Sequence, residues 1–144
     1  MIINSTIFKA LLLVLIAVTS FSCATRRSVG LEEGWELLSD RKVNFIRDKD
    51  EIEVRSRNMF TAIRFKVEDK DIRLNDLVIL FQNGDKLSPA IDEVIKAGET
   101  SKIIEIARDG RYINKITFRY RSMGSILQGR ANLIVMGQRY YPGY

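Results

Sequence analysis

The chain has no histidine, a single cysteine and two prolines among its 144 residues. Without histidine there is no Ser-His-Asp or Cys-His nucleophile and no histidine-ligated zinc. A single cysteine excludes an internal disulfide. The 23 basic and 18 acidic residues give a net charge of +5, which is mildly basic and not the signature of a nucleic-acid-binding protein. The hydrophobic fraction of 46% and the charged fraction of 28% are typical of one globular domain.

An apolar run at residues 10–18 follows Lys9 and carries no charge. It is too short to span a bilayer, which takes roughly 20 residues, and it is typical of a signal-peptide core. The only cysteine, Cys23, lies where such a peptide is cut, a position that resembles the lipid acceptor of a bacterial lipoprotein. We therefore predict a signal peptide at 1–22 and a lipid-anchored tether at 23–34.

The alternative is an ordinary signal-peptidase cut. Ser20 and Ser22 satisfy the small-x-small pattern for that cut, which would leave Cys23 as an unmodified thiol. In the lipidated form, we expect the protein at the bacterial cell envelope, anchored in the outer membrane and facing the periplasm or the cell surface. The membrane would then be a partner through the lipid alone.

The remaining chain alternates apolar and polar residues with the period of two that strands require. The clearest example is 62–68, where Ile63, Phe65 and Val67 point one way and the charged residues between them point the other. Similar strands are predicted at 42–47, 51–55, 77–81, 102–107, 112–122 and 131–136. The apolar run 77–81 suits a strand covered on both faces or one beside a second layer.

Two local signals fall between the strands. Asn83-Gly84 predicts a hairpin with a type I′ turn that returns the chain antiparallel. Ser88, Pro89 and Gly98 resemble the N-cap, first position and terminator of one short helix at 88–98. Short strands separated by turns predict an all-β, antiparallel, jelly-roll-like β-sandwich of about eight strands with at most one short helix, at residues 35–138. A Tyr-rich tail follows at 139–144.

The inward faces of these strands predict one core between two β layers. Its members are the apolar residues that share a face with their strand neighbours. They are Ile63, Phe65, Val67, Leu77, Ile79, Phe81, Ile104, Ile106, Ile116, Phe118, Leu133 and Val135.

The outward faces of two strands carry the candidate binding residues. These basic residues are Arg64, Lys66, Lys115, Arg119 and Arg121. If the two strands lie in one sheet, the five side chains form an electropositive face for an anionic envelope polymer that carries phosphate or carboxylate groups, or for an envelope protein. The alternative is a solvated face whose charges pair with Glu68 and Glu105 and protect strand edges.

Other polar clusters give no catalytic or metal site. The triplet Asp-Lys-Asp occurs at 48–50 and 69–71, where carboxylates could bind Ca²⁺ but where aspartates also favour turns. We interpret both as turns, and we predict no catalytic residue, no metal and no cofactor. The tyrosines of 139–144 could stack on sugar rings or anchor a partner if they are exposed, or pack back on the sandwich.

Two segments resemble a known family. IKAGETSKIIEIARDGRYINKITFRY, within 91–120, and ANLIVMG, at 131–137, are similar to the second half of a bacterial family of small exported proteins, a domain of unknown function. The resemblance implies a signal peptide that leads into an all-β domain and a closing apolar strand that ends in glycine. It implies no catalytic residues.

Together these features predict a cell-envelope lipoprotein whose β-sandwich is a non-catalytic binding or scaffolding module. Two alternatives remain: a small glycan-acting enzyme that uses paired carboxylates, and a structural accessory subunit of an outer-membrane complex. A binding module predicts exposed aromatic or basic residues on one sheet face or loop end. An enzyme predicts two facing acids in a cleft, and an accessory subunit predicts a large apolar patch.

Overall fold

The computed structural model describes residues 30–43, 49–124 and 130–143. In this part of the chain there are nine strands, and no helix. The strands are β1 (Trp35–Lys42), β2 (Lys49–Glu53), β3 (Phe60–Glu68), β4 (Ile72–Phe81), β5 (Lys86–Leu87), β6 (Glu93–Ile95), β7 (Ile104–Glu105), β8 (Ile113–Ser122) and β9 (Asn132–Arg139). The strand expected at 42–47 lies largely on residues outside the described part.

The strands form two antiparallel sheets. Sheet A has the order β1-β9-β3-β7, and sheet B has the order β2-β8-β4-β5 with β6 also paired to β4. The first strand pairs with the last, β2 pairs with β8, β3 with β7, and β4 with β5. A chain paired in this way is one long hairpin folded over itself, which is the topology of a jelly roll with β6 added. The predicted all-β antiparallel sandwich is confirmed.

The core lies between the sheets, where the alternation places it. Phe65 of sheet A contacts Phe118 of sheet B edge to face, with ring centroids 5.7 Å apart. Ten of the twelve predicted core residues are buried in one apolar cluster, and Ile104 and Ile106 are partly buried against it. The predicted register is therefore confirmed, and the aromatic contact joins the two layers directly.

The helix predicted at 88–98 is wrong. Instead of a helix, the region contains β6, which pairs with β4 so that Ile95 lies opposite Ile72. Because β4 is ten residues long and β5 covers only its far end, β6 supplies backbone partners for the near end. The β-branched Val94 and Ile95 also favour a strand. The local cap signal at Ser88 and Pro89 is thus overridden by a tertiary pairing.

The hairpin predicted at Asn83-Gly84 is confirmed, but its turn differs. Gly84 has a φ of +92°, and Asn83 is not among the described non-glycine residues with positive φ. Gly84 N donates to Phe81 O at 3.0 Å, and Phe81 N donates to Asp85 O at 2.9 Å. This is a three-residue loop with glycine in the left-handed position rather than a type I′ turn.

The strand buried on both faces is β9, not the 77–81 part of β4. In β4, the outward Val78 and Leu80 are half-buried, whereas β9 buries Ile134 and Met136 on the side away from the core. The strand also continues through Gly137 instead of ending there. A Cβ at Gly137 would lie 2.6 Å from the Phe60 ring, so glycine is required because the core approaches the backbone.

Candidate binding surfaces

The five predicted binding residues do not share a face. Arg64 and Lys66 lie on β3 in sheet A, and the other three lie on β8 in sheet B. Both strands turn their apolar residues toward the shared core, so their polar sides face in opposite directions. The expectation of a single basic face built from both strands is wrong. The jelly-roll topology places β3 in sheet A and β8 in sheet B, on opposite sides of the core.

Arg64 has a structural role in sheet A. Its guanidinium lies 4.1 Å from the centroid of the Trp35 ring, and its Nη2 is 3.3 Å from Glu32 Oε2. Because β1 and β3 flank β9, this cation–π contact crosses β9 on the outward side. The Arg64 side chain is only 13% exposed. Lys66, the second predicted residue on β3, forms an ion pair with Glu68 at 3.5 Å.

Lys115 is neutralised at one end of β8. Its Nζ is 2.6 Å from Glu51 Oε1, and Glu53 lies opposite it on β2. The hydrogen bond from Lys115 lowers the pKa of the Glu51 carboxyl, and the same contact raises the pKa of Lys115. An anion would have to compete with these two carboxylates, so Lys115 is a poor contact for an anionic ligand.

The opposite end of β8 carries an excess of positive charge. Arg121 lies directly opposite Arg73 of β4, and Arg119 lies opposite Lys49 of β2 on one side and opposite Asp76 of β4 on the other. We call the four cations, Lys49, Arg73, Arg119 and Arg121, the basic end of sheet B. Like charges directly opposite in adjacent strands destabilise a sheet. A negative charge beside these cations would offset that repulsion.

Two carboxylates offset part of this charge. Asp92 accepts two hydrogen bonds from Arg73, at 2.7 Å and 2.6 Å, which raise the pKa of Arg73 and lower that of Asp92. Asp76 lies 3.9 Å from Arg119, a longer contact. Among the described residues, the side chain of Arg121 makes no hydrogen bond or ion pair. The four cations and these two acids leave a net charge of +2 at this end.

A shallow cleft of about 290 Å³ lies at the basic end. It is lined by Arg73, Asn75, Asp92 and Arg121. The two arginines belong to adjacent strands, β4 and β8, and are held by the sheet rather than by a loop. A guanidinium offers a planar fork of donors that matches a phosphate or carboxylate group. Asp92 accepts from Nε and Nη2 of Arg73, so the donors of the cleft that face no carboxylate are those of Arg121 and the remaining ones of Arg73.

Two further concavities lie around the loop between β7 and β8. One, of about 580 Å³, is lined by Thr61, Ala62, Ile103, Glu105, Ile106, Ala107, Arg108 and Gln138. The other, of about 320 Å³, is lined by Met59, Phe81, Gln82, Asn83, Asp109, Gly110, Arg111 and Tyr112, and we call it the hairpin-end cleft. Each of these three concavities in the described residues has one carboxylate in its lining. None of these three linings contains the pair of facing acids that glycoside hydrolysis requires.

The family model described as Domain of unknown function (DUF2541) matches residues 10–137. The chain belongs to the DUF2541 family. The match includes strands β1 to β8 and most of β9. The sequence has no significant match among curated proteins.

The Asp-Lys-Asp triplets of this DUF2541 domain lie in hydrogen-bonded structure. Asp50 accepts a hydrogen bond from the Tyr120 hydroxyl at 2.9 Å, and Asp71 accepts one from Ala97 N at 2.8 Å. Asp69 has a φ of +71°, which fits a tight turn between β3 and β4. Across residues 30–43, 49–124 and 130–143, no three His, Cys, Asp or Glu side chains come together as metal ligands. Asp48 lies outside the described residues.

The structure describes only one of the two chain ends for which the sequence makes predictions. Cys23 and the segment predicted to be a signal peptide lie outside the described residues. Within the described ranges, no helix is long and apolar enough to cross a membrane. In the tail, Tyr140 packs on Gly110, as one alternative predicts, and Tyr141 is 65% exposed, which is the condition that the other alternative requires.

Sequence reasoning missed half of the basic end. Arg73 belongs to an alternating stretch, Ile72-Arg73-Leu74, which could have extended the predicted strand at 77–81 toward its N-terminus. Lys49 lies in the triplet interpreted as a turn, although it begins β2. No sequence signal places either residue beside β8, because that neighbourhood depends on the order of strands in sheet B.

Proposed function

We propose that this protein is a non-catalytic binding module of the bacterial cell envelope, anchored by a lipid on Cys23, and that the basic end of sheet B contacts an anionic envelope polymer. The observation that carries the proposal is the cross-strand pairing of Arg73 with Arg121 beside Arg119 and Lys49. Like charges in direct opposition destabilise a sheet, and Asp92 offsets only Arg73 of this pair. A phosphate or carboxylate group would offset the charges of Arg121 and Arg119.

The geometry favours this end over the rest of the predicted surface. Arg64, Lys66 and Lys115 are occupied by contacts with Glu32, Glu68 and Glu51. Arg121 is exposed and makes no such contact among the described residues, and Arg119 has only a long one. A polymer has repeated charges, so weak individual contacts with exposed arginines add along its length.

The two rival functions have less support. A paired-carboxylate glycan hydrolase needs two acids about a substrate bond, and the linings of the three concavities offer one each. An accessory subunit needs a large exposed apolar patch. The exposed large apolar side chains of the described residues include Leu37, Val94 and Ile103, which lie on three different strands or loops.

The binding test uses the full chain purified in detergent from bacterial membranes. Labelled linear polyphosphate and labelled polyglutamate are the probes, so that phosphate and carboxylate recognition are separated. We expect binding at low ionic strength that weakens steeply with salt, because screening shortens the reach of exposed charges to roughly 8 Å at physiological ionic strength. The double variant Arg119→Glu, Arg121→Glu should weaken binding at least about 10-fold, or about 1.4 kcal/mol.

The matched control is Arg57→Glu, Arg108→Glu, which makes the same change in net charge at exposed loop positions outside the strands of sheet B. It should stay within about twofold of wild type, since screened charges act locally. Equal weakening by the two double variants would assign binding to net charge and overturn the role of the basic end. Failure of the wild type to bind either polymer at low salt would overturn the proposed ligand.

The anchor is tested separately. Mass spectrometry of the membrane-purified protein should find acyl chains on an N-terminal Cys23, and Cys23→Ser should move the protein out of the membrane fraction. An unmodified N-terminus beyond Cys23, or unchanged membrane association of the serine variant, would refute the lipid anchor without affecting the binding test.

A further inference from the structure

We infer that the hairpin-end cleft binds a neutral saccharide, with the Tyr112 ring stacked on a sugar face and Gln82, Asp109 and Arg111 bonded to its hydroxyls. This site is distinct from the basic end. Arg73 and Phe81 lie near the two ends of β4, and eight steps along the strand separate them by about 26 Å. The inference does not depend on the proposed polymer-binding surface.

The hairpin-end cleft contains an exposed aromatic ring. Tyr112 precedes β8, lines the cleft and is 44% exposed, although most aromatic residues of the described chain are buried. Leaving so much aromatic surface in water forfeits burial energy, and an amphipathic ring of this kind is typical of recognition sites. The CH groups on one face of a sugar ring are an apolar surface that matches it.

Polar side chains line the cleft beside the ring. Arg111 uses Nη1 for a contact with Asp85 at 3.2 Å, and its guanidinium lies 5.1 Å from the centroid of the Phe81 ring. A guanidinium has five donors, so others remain for a ligand. The side chains of Gln82 and Asp109 make no hydrogen bond among the described residues. Donors and acceptors together match hydroxyl groups, which both donate and accept.

The charged side chains at the cleft favour a neutral ligand. The positive charge of Arg111 is opposed by Asp85, which contacts it, and by Asp109 in the lining. These three residues sum to a net charge of −1, whereas the basic end sums to +2. An anionic polymer would meet repulsion at the hairpin-end cleft, so a neutral ligand fits it better. The volume of about 320 Å³ is near the lower limit for ligand pockets, enough for a short piece of an oligosaccharide.

Backbone hydrogen bonds and close packing hold the walls of the cleft in place. Arg111 and Phe60 exchange two backbone hydrogen bonds, at 2.9 Å and 3.0 Å, and Gln82 N donates to Tyr112 O at 3.0 Å. Behind the cleft, Gly110 has a φ of +68°, and a Cβ there would lie 2.5 Å from Tyr140. The loop is thus held against β3, β4 and the C-terminal tail. A site with fixed walls loses less entropy on binding.

The test titrates the full chain with neutral hexasaccharides of glucose, N-acetylglucosamine and mannose, followed by calorimetry. We expect at least one to bind, Tyr112→Ala to weaken that binding at least about 10-fold, and Tyr112→Phe to stay within about threefold because the ring is kept. Gln82→Ala should weaken it to a smaller extent. The matched control is Tyr141→Ala, which removes an exposed tyrosine that is not in the cleft lining.

Binding of none of the three sugars at millimolar concentration would overturn the inference. So would equal effects of the Tyr112 and Tyr141 variants, or an unchanged affinity of Tyr112→Ala. Because Tyr112 and Gln82 are exposed, their variants should fold as wild type, which circular dichroism checks. The polyphosphate experiment changes Arg119 and Arg121, which are not in the lining of the hairpin-end cleft. One proposal can therefore be refuted while the other stands.

Discussion

On the outward side of sheet A, the strand β9 buries Ile134 and Met136, and Arg64 crosses it to reach Trp35. On the outward side of sheet B, the neighbouring strands β4 and β8 hold Arg73, Arg119 and Arg121 in solvent. Both sheets pack against the shared core, and sheet B contributes more of its buried side chains than sheet A, so contact with the core does not explain the difference. Alternation identifies the face that packs inward, but the role of the outward face is decided by strand neighbours.

The two outward faces also use arginine differently. In sheet A, the guanidinium of Arg64 is held between an aromatic ring and a carboxylate and is largely removed from solvent. In sheet B, Arg121 is exposed opposite another arginine. The same residue type therefore stabilises one face and is available for a ligand on the other. Counting basic residues on strands cannot distinguish these cases.

The largest expected effect concerns the contact that both sheets share. Phe118→Ala removes a ring that is 1% exposed and packs on Phe65 and Tyr120. The free energy of unfolding should fall by about 3–5 kcal/mol, because the cavity cannot close fully between two sheets. Denaturant unfolding measures it. A change below about 0.5 kcal/mol would place Phe118 on the surface and refute the register.

The next effect compares the outward faces directly. Ile134→Ala on β9 should lower the free energy of unfolding by about 2–5 kcal/mol, since Ile134 is fully buried on that side. Val78→Ala on β4 removes a half-buried outward side chain and should cost about 1 kcal/mol or less. Equal losses for the two variants would mean that the outward faces do not differ in burial.

Much of this fold follows from the sequence because strands report their inward face locally. The alternation in Ile63-Arg64-Phe65 and in Ile116-Thr117-Phe118 is enough to assign the core. The burial of both sides of β9 has a weaker signal, the continuous apolar run at 131–136. The helix expected at 88–98 does not form. Its capping signals depend only on neighbouring residues in the sequence, whereas β6 forms through its pairing with β4.

The candidate sites were less predictable. Arg119 and Arg121 were recognised from β8 alone, but their partners Arg73 and Lys49 come from β4 and β2. The hairpin-end cleft joins the loop before β8 to the β4–β5 hairpin, which are far apart in sequence. Periodicity within one strand contains no information about such neighbours, so the composition of each site depends on the jelly-roll order.

The smallest expected effect is a pH dependence at the margin of sheet A. Burial raises the pKa of the Glu36 carboxyl. Hydrogen bonds with Ser56, Asn58 and Arg139 lower the pKa by more than burial raises it, so the net shift is downward. Because its pKa is lowered in the folded state, the ionised Glu36 carboxylate stabilises the fold at pH values above the ordinary carboxyl pKa. This contribution is lost as the pH falls through the lowered pKa. Glu36→Gln should lose at most about 1 kcal/mol at pH 7.

Unfolding measured from pH 7 down to pH 3 tests this. The difference between wild type and Glu36→Gln should shrink below the ordinary carboxyl pKa of about 4.3. A difference that grows toward acid would reverse the assigned sign. The exposed Glu99, which is changed to Gln as the control, should give no comparable pH-dependent difference.

The most direct test of the basic end is a two-dimensional NMR titration of the full-length protein with linear polyphosphate. The account predicts that amide shifts concentrate at Lys49, Arg73, Arg119 and Arg121 and disappear in the Arg119→Glu, Arg121→Glu variant. The outward residues of β3 should not respond, because their charges are paired. Shifts centred on Arg64 and Lys66, or shifts spread evenly over both sheets, would contradict it.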